Sequence, residues 1–354
     1  MTTRVEDRGP WIDVHGHAGR CFLGGLDAGH PLISLLGAVT TEAAFVSMRA
    51  GRVTAASVAT VADLAVLGID SAGGLCADRP FDPGEARVDH DRQLRGITGL
   101  LAGAKIEAVL NAADIEAAHH EHRSAAIICC EGADFCDGEP DALGAAHRAG
   151  VRSIGLVHYR VNELGDVQTE PPRHGGLTAF GADVVHEMNR LRMVIDLAHA
   201  TFETTIDALE ISAQPVMISH SHLTPAGGGH PRLLSEEHAR AVGDAGGLVG
   251  AWPAGVVLAS LDDFAAEIAR MVDLLGVGHV AVGTDMDANY LPVLDRYEQF
   301  PSLDAALEAR GFDITPRSNV IGSQHRSHHS LNRPGFDGGF GYWVTDSRVG
   351  LVRR

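Results

Sequence analysis

The chain has 354 residues, of which 45% are hydrophobic, and its formal net charge is −18. This negative charge argues against a nucleic-acid partner, because phosphate binding needs a basic surface. The sequence has no apolar run of 18 residues, so we expect no transmembrane helix and no membrane partner. It also has no basic segment followed by an apolar one, so we expect no secretory signal and a cytoplasmic location.

Eight short apolar runs alternate with amphipathic stretches along the chain. Because each run is almost continuously apolar, we expect strands that are buried on both faces of a parallel sheet. The runs cover residues 11–17, 52–62, 125–132, 151–159, 193–200, 215–222, 246–253 and 277–287. Helical patterns follow the later runs, at 177–191, 202–209, 235–246 and 261–276, with Ser235 as a plausible N-cap.

This alternation predicts an α/β protein with the (β/α)8 TIM-barrel fold. An open doubly wound sheet is the alternative, but the chain has no GxGxxG after its first run and no Walker A pattern. We predict one catalytic domain over residues 1–312, with an insertion at about 63–124 that includes a loop at 78–85. Residues 313–354 are rich in Gly, Ser, Arg and His without a period, so we expect a poorly ordered tail.

Residues able to bind metal fall at the ends of six of the eight runs. They are His15 and His17, Glu131, His158, His199, His220 and Asp285. The carboxyl ends of TIM-barrel strands converge on one active site, so we expect these side chains to meet. A single strand histidine is usually a hydrogen-bonded core residue, but that interpretation does not account for the whole set.

The residue types favour a site for two zinc ions. His15 and His17 lie two residues apart, so their side chains point to the same face of a strand. Imidazole suits zinc, and two ions can share a hydroxide and polarise a carbonyl together. The ligand that bridges them has to be anionic. Because Lys105 is the only lysine and ends no run, Glu131 is the bridging candidate and not a carbamylated lysine.

We therefore predict that two Zn²⁺ ions are held by one set of five ligands. The set is His15, His17, Glu131, His199 and His220. Asp285 is the candidate general base and acid, taking a proton from the bridging water and passing it to the leaving amine. Tyr159 and Trp252 are further candidates for lining the site, and Asp287 for supporting it.

Seven motifs, in order, resemble the membrane (renal) dipeptidase family, peptidase family M19 of the amidohydrolase superfamily. They are IDVHGH, CCEGAD, GLVHYRVNELGD, DLAHA, ISHSH, HPRLLSEE and GTDMD, within residues 11–312. The resemblance implies that His158 contacts the substrate or its developing oxyanion. It also implies that Arg232 binds the terminal carboxylate of the substrate, that Asp285 is the acid/base, and that a homodimer is possible.

The chain departs from the family in two places. His17 stands where family members carry an aspartate, and the sequence after Phe312 differs from the usual final helix. The leading hypothesis is a zinc-dependent dipeptidase that hydrolyses short peptides with a free C-terminal carboxylate through a metal-bridging hydroxide. The alternative, favoured by both departures, is an amidohydrolase acting on a non-peptide amide, lactone or ester. A non-catalytic binding barrel is a third hypothesis, against which the presence of Asp285 argues.

Overall fold

A computed structural model of the chain describes residues 9–24, 26, 29–30, 32–33, 41–71, 74–313 and 352–353. Eight parallel strands in this part of the chain close into a barrel. They are β1 (Trp11–Asp13), β2 (Val53–Val61), β3 (Ala125–Glu131), β4 (Ser153–Gly155), β5 (Val194–Asp196), β6 (Met217–Ser221), β7 (Leu248–Ala251) and β8 (Val280–Val282). Each predicted run contains one of these strands, so the predicted TIM barrel is confirmed.

Pairing between sequential strands continues around the barrel, and β8 pairs with β1 to close it. The most extensive pairing joins β2 to β3, from Ala55 beside Ala125 to Val61 beside Glu131. This register brings the carboxyl end of β2 level with Glu131, the last residue of β3. The residues that follow β2 are therefore placed next to the predicted site.

Helices connect the strands on the outside. They are α1 (Thr41–Ala50), α2 (Glu85–Ala104), α3 (Ala112–His120), α4 (Ala142–Arg148), α5 (Ala179–Leu191), α6 (Phe202–Ile211), α7 (Glu236–Asp244), α8 (Leu261–Leu275) and α9 (Phe300–Ala309). The predicted helices correspond to α5–α8. As predicted, Ser235 caps α7, because its hydroxyl accepts a hydrogen bond from the His238 backbone N–H at 3.0 Å.

The predicted insertion at 63–124 contains a hairpin and two helices. Leu67–Ile69 pairs antiparallel with Leu75–Ala77 to form the hairpin, and α2 and α3 follow it. Between these helices, the short strand Glu107–Ala108 pairs in parallel with the first two residues of β3. Within the predicted tail, Val352–Arg353 pairs antiparallel with Phe312–Asp313. The rest of the tail prediction lies outside the described residues.

The two faces of β3 show how the barrel is packed. Ala126, Ile128 and Cys130 belong to the large core that includes the helices. Ile127 and Cys129 lie on the other face and pack with residues of β1 and β2. Because side chains alternate along a strand, Glu131 shares the face of Ile127 and Cys129. The small apolar residues inside the barrel are therefore followed, at the carboxyl end of β3, by the carboxylate of Glu131.

Over the described ranges, no helix has both the length and the apolar character needed to cross a bilayer.

Candidate metal centre

The structure brings the predicted site residues together at one mouth of the barrel. Glu131 ends β3 and His220 lies in β6, while the other predicted ligands, His158 and Asp285 follow strands that end two to four residues earlier. The five predicted ligands are all at most 5% exposed. A set scattered over 206 positions, from His15 to His220, thus forms one buried cluster.

Glu131 lies at the centre of the imidazole rings of the four predicted histidine ligands. Its Oε1 is 2.9 Å from His199 Nε2, 3.4 Å from His15 Nε2 and 3.6 Å from His220 Nε2. Its Oε2 is 3.2 Å from His17 Nε2. Each ring therefore turns the same nitrogen towards one carboxylate, as ligands around a shared metal pair would.

This donor set fits zinc. Ligand atoms from His15, His17 and Glu131 lie within 4.8 Å of one another, and so do ligand atoms from Glu131, His199 and His220. The two groups share only Glu131, so its carboxylate is the group that could join two ions. Imidazole and carboxylate are ordinary zinc ligands, and four neutral rings with one carboxylate leave positions for water or substrate.

The atoms behind the rings hold them in this orientation. Ser219 Oγ lies 3.1 Å from His15 Nδ1 and 3.0 Å from His220 Nδ1, and the Ala59 carbonyl oxygen lies 3.2 Å from His17 Nδ1. A hydroxyl oxygen can accept from both rings, and this favours the tautomer in which Nε2, the nitrogen that faces Glu131, carries no proton. Ser219 was not among the residues predicted from the sequence, although its place directly before His220 was a signal.

On the β1 side of Glu131, neighbouring carboxylates favour the protonated rings. Burial opposes protonation of His17, but contacts with Asp285 and Glu131 raise its pKa to about 10. The pKa of His15 is also raised against the effect of burial, mainly by Glu131. Burial likewise opposes ionisation of Glu131, yet the surrounding imidazoles, led by His158, hold the pKa of Glu131 well below its usual range.

On the β5–β6 side, the rings are held neutral. Burial lowers the pKa of both His199 and His220 well below the ordinary histidine value, and the Arg232 guanidinium adds to the effect. A metal binds the neutral imidazole, so this side requires no proton to be released before an ion can bind.

His158 is fixed by a carboxylate that the sequence analysis missed. Its Nδ1 lies 2.6 Å from Asp63 Oδ1, and its Nε2 lies 3.2 Å from Glu131 Oε2. The other oxygen of Asp63 accepts a hydrogen bond from the Tyr159 backbone N–H at 3.0 Å. Asp63 comes two residues after β2, so the same strand-end rule that selected the other residues would have found it.

Arg232 lies on the segment between β6 and α7 and points into the site. It is 1% exposed, and its Nη2 is 3.0 Å from His220 Nε2. Its Nη1 donates to Gln168 Oε1 at 2.6 Å, and the guanidinium carbon lies 5.6 Å from the centre of the Trp252 ring. Burial lowers the pKa of Arg232. A buried cation beside the ligands is a suitable receptor for an anionic group.

Two site residues have left-handed backbone conformations that are rare for side chains with a Cβ. The φ angle is 68° at His199 and 56° at Asp285. The backbone N–H of Asp285 donates to the His15 carbonyl oxygen at 3.0 Å, which joins the end of β8 to the end of β1. Such conformations cost roughly 1–3 kcal/mol and concentrate at functional sites.

Comparison with known proteins places this site in a family. Residues 41–323 match the model of the membrane dipeptidase family, peptidase family M19. The chain belongs to this family. The resemblance noted in the sequence motifs is thereby confirmed.

Individual relatives include an uncharacterized protein and several named dipeptidases. A protein from Klebsiella pneumoniae, described as an uncharacterized protein in the pqqA 5′ region, is 31% identical over 63% of this chain and 88% of its own length. The dipeptidase verJ of Clonostachys rogersoniana is 32% identical over 56% of this chain and 53% of its own. The chain spans about half the length of the fungal dipeptidases that it matches.

A solved structure supports the fold. A metallopeptidase from Rhodobacter sphaeroides, crystallised with a phosphinate mimic of the dipeptide L-Ala-D-Ala, superposes with a TM-score of 0.69 at 22% identity. The match covers 87% of this chain and 94% of the other. At this identity the likeness establishes the shared barrel.

Proposed function

We propose that this protein is a zinc-dependent dipeptidase acting on short peptides with a free C-terminal carboxylate. Membership of the M19 family supports the reaction class. The observation that carries the substrate class is the buried Arg232 guanidinium beside His220, because a desolvated cation at that place is matched by an anionic substrate group.

Two ions would be held by the two ligand groups that share Glu131. His15 and His17 would complete one group, and His199 and His220 the other. Zn²⁺ held there would supply Lewis acidity towards a carbonyl oxygen and would lower the pKa of a bound water, which is the chemistry that the proposed hydroxide mechanism needs.

The protein's own residues position the peptide. Arg232 binds the carboxylate terminus through its planar fork, and Gln168, which accepts from Nη1, keeps the guanidinium plane in place. Trp252 covers one side of the guanidinium. These contacts would fix the C-terminal end of the substrate.

Two further residues act on the scissile bond. His158 contacts the substrate carbonyl oxygen, with its ring fixed by Asp63. Asp285, whose side chain is 13% exposed, takes the proton of the attacking water and passes it to the leaving amine. Asp285 thus places a partly exposed carboxylate next to the ligands, where a bound substrate can reach it.

The second candidate function is hydrolysis of a non-peptide amide, lactone or ester. It is favoured by His17, which lies within 3.3 Å of Asp285 and gives this side of the centre a neutral ligand where the family has a carboxylate. The same metal ligands would serve either reaction, so substrate tests have to decide between them.

The test is a panel of L-L, L-D and dehydro dipeptides offered to the zinc-loaded protein. Each good substrate is paired with its C-terminal amide, which differs only in the charge that Arg232 would bind. We expect hydrolysis of the free acids, with kcat/KM lower by about 100-fold or more for the amides, since a buried charge pair contributes several kcal/mol. Turnover of a simple lactone or N-acyl amide, with none on any dipeptide, would contradict the proposal.

A further inference from the structure

The carboxyl end of β2 extends beyond its neighbour β1. Pairing between the two strands ends with Asp13 beside Ala56, whereas β2 continues to Val61. On the β1 side, the Ala59 N–H still reaches the Gly16 carbonyl oxygen at 2.9 Å. N–H groups alternate between the two edges of a strand, so the Val61 N–H points to the same side as that of Ala59. A partner is needed there, because a buried backbone group without one is costly.

The side chain of Gln93, on helix α2, takes the place of the missing strand. Its Oε1 accepts a hydrogen bond from the Val61 N–H at 2.8 Å, and its Nε2 donates to the Val61 carbonyl oxygen, also at 2.8 Å. This amide thus pairs with both polar groups of one residue, as a neighbouring strand would. Gln93 is 1% exposed, so water does not compete for either hydrogen bond.

Two further residues of α2 fix the orientation of this amide. Gln93 Nε2 donates a second hydrogen bond to Asp89 Oδ2 at 2.7 Å. The other oxygen of Asp89 accepts from Arg92 Nε at 2.8 Å, and the Arg92 guanidinium donates to the Gly24 carbonyl oxygen. Gly24 lies on the segment that follows His17. The three side chains therefore connect α2 to the segments at the carboxyl ends of both β1 and β2.

The residues directly after β2 include the support of His158. Val61 is the last residue of β2, and Asp63, whose Oδ1 lies 2.6 Å from His158 Nδ1, comes two residues later. Between them, the Ala62 N–H donates to the Glu131 carbonyl oxygen at 2.8 Å. The backbone that carries Asp63 is therefore held from both sides, by α2 on one and by the end of β3 on the other.

We propose that Gln93 is a positioning residue for His158, and that it acts through the end of β2 and Asp63. Asp89 assists by orienting the Gln93 amide. Helix α2, part of the insertion between β2 and β3, thereby sets where the His158 ring meets the substrate. This inference rests on the proposed function, because it concerns the placement of a ring that contacts the substrate carbonyl oxygen.

Steady-state kinetics of the zinc-loaded full chain test the proposal with Gln93→Met, which keeps the length of the side chain and removes its hydrogen bonds. We expect kcat to fall by about tenfold with KM and zinc content unchanged, because a small displacement of an orienting group lowers the rate of the chemical step. In protein that already carries Asp63→Asn, Gln93→Met should change kcat by less than about twofold, since the effects of residues that act through one another do not add.

Arg87→Met is the matched control on the same helix. Arg87 donates to the Phe135 carbonyl oxygen at 3.2 Å and to the Cys136 carbonyl oxygen at 2.6 Å, so this variant removes hydrogen bonds of α2 that do not lead to β2. We expect its kcat to stay within about twofold of the wild-type value, as for most substitutions away from a site.

Asp89→Asn is a milder variant that retains Gln93 and carries the test if Gln93→Met fails to fold. An asparagine offers one acceptor oxygen to the two donors that Asp89 now binds, so the amide of Gln93 is held less firmly. We expect kcat to fall by about two- to fivefold, again with unchanged KM and zinc content.

Proton NMR gives a readout of the His158 ring that does not depend on turnover. A ring N–H that donates to a buried carboxylate resonates far downfield, and Asp63→Asn identifies the signal of His158 by removing it. We expect Gln93→Met to shift or broaden this signal and Arg87→Met to leave it unchanged.

Wild-type kcat and an unchanged NMR signal in Gln93→Met would overturn the inference. It would also be overturned if Gln93→Met lost the same factor in kcat with and without Asp63→Asn, or if the variant lost zinc or changed only KM. If the wild type cleaves no dipeptide, the proposed function fails, and the NMR comparison of Gln93→Met with Arg87→Met then decides whether Gln93 positions His158.

Discussion

The two sides of Glu131 hold the same kind of ligand in opposite electrostatic surroundings. His15 and His17, after β1, have raised pKa values, whereas His199 and His220, at β5 and β6, have pKa values well below the ordinary one. All four rings are at most 3% exposed, so burial opposes protonation on both sides. The difference therefore comes from the neighbouring charges.

Those neighbours are a carboxylate on one side and a guanidinium on the other. Asp285 faces the first pair of rings, and Arg232 faces the second. The centre is thus polarised across Glu131. This polarity suits a substrate that has an anionic terminus at one end and needs a proton delivered at the other.

The largest effect is expected from Glu131→Ala, which removes the group common to both sides. We expect the variant to lose both ions and at least about 10³-fold in kcat/KM, since metal ions contribute several kcal/mol to catalysis. Elemental analysis and dipeptide assays measure the two losses. Glu139→Ala, at an exposed glutamate paired with Arg87, is the control. If Glu131→Ala still bound two ions, metal binding on the two sides of the centre would not depend on this carboxylate.

Arg232→Met tests the cationic side. We expect kcat/KM on a free dipeptide to fall by roughly 10²–10³-fold, mostly through KM, because removing one member of a buried charge pair costs about 2–5 kcal/mol. The same variant should act on the C-terminal amide of that dipeptide as the wild type does. An equal loss on both substrates would mean that Arg232 does not bind the carboxylate.

Asp63→Asn tests the support of His158. A carboxylate accepts from both the ring and the Tyr159 backbone N–H, whereas an amide has one acceptor oxygen, so one contact is lost. We expect kcat to fall by about 10–100-fold with unchanged metal content, as for other residues that orient a site. Elemental analysis and steady-state kinetics decide this, and a loss of metal in Asp63→Asn would instead make Asp63 part of the ligand support.

Ser219→Ala removes a contact that the two sides share. Because its Oγ lies against His15 Nδ1 and His220 Nδ1, we expect the affinity for both ions to fall by about tenfold. Ser221→Ala is the matched control on the same strand, since its Oγ donates to the Arg232 carbonyl oxygen and to neither ring. Chelator competition measures both variants. A loss confined to one ion would show that Ser219 supports one side alone.

The last effect concerns stability, at a buried histidine away from the centre. Burial lowers the pKa of His238 to about 4, and its Nε2 lies 2.8 Å from Thr205 Oγ1. Below pH 6.5 the unfolded chain takes up a proton that the folded chain refuses, so the free energy of unfolding falls as pH drops towards 4. The slope is at most about 1.4 kcal/mol per pH unit.

The variant His238→Gln should make this pH dependence shallower between pH 6.5 and 4. Urea denaturation at several pH values measures it, with His186→Gln, at an exposed histidine of α5, as the control. An unchanged slope in His238→Gln would mean that this histidine is not held neutral in the folded protein.

The sequence by itself determined the barrel and the location of its site. Eight apolar runs gave eight strands, and polar residues at their carboxyl ends met because parallel strands end at one mouth. Glu131 could be selected as the central carboxylate because the only lysine, Lys105, lies at the end of no strand and so cannot supply a bridging carbamate. These inferences depend on local pattern and on a geometry that all such barrels share.

The tertiary structure alone decided which groups support the ligands and how charge is divided among them. Asp63 and His158 are 95 residues apart, and Ser219 and His15 are 204 apart, so no local pattern connects them. His17 and His220 are the same residue type with similar burial, yet their pKa values move in opposite directions. Asp285 and Glu131 act on His17, whereas the positive charges of His15 and Arg232 add to the effect of burial at His220. Electrostatic interactions depend on distances between atoms, which the chain fixes only on folding.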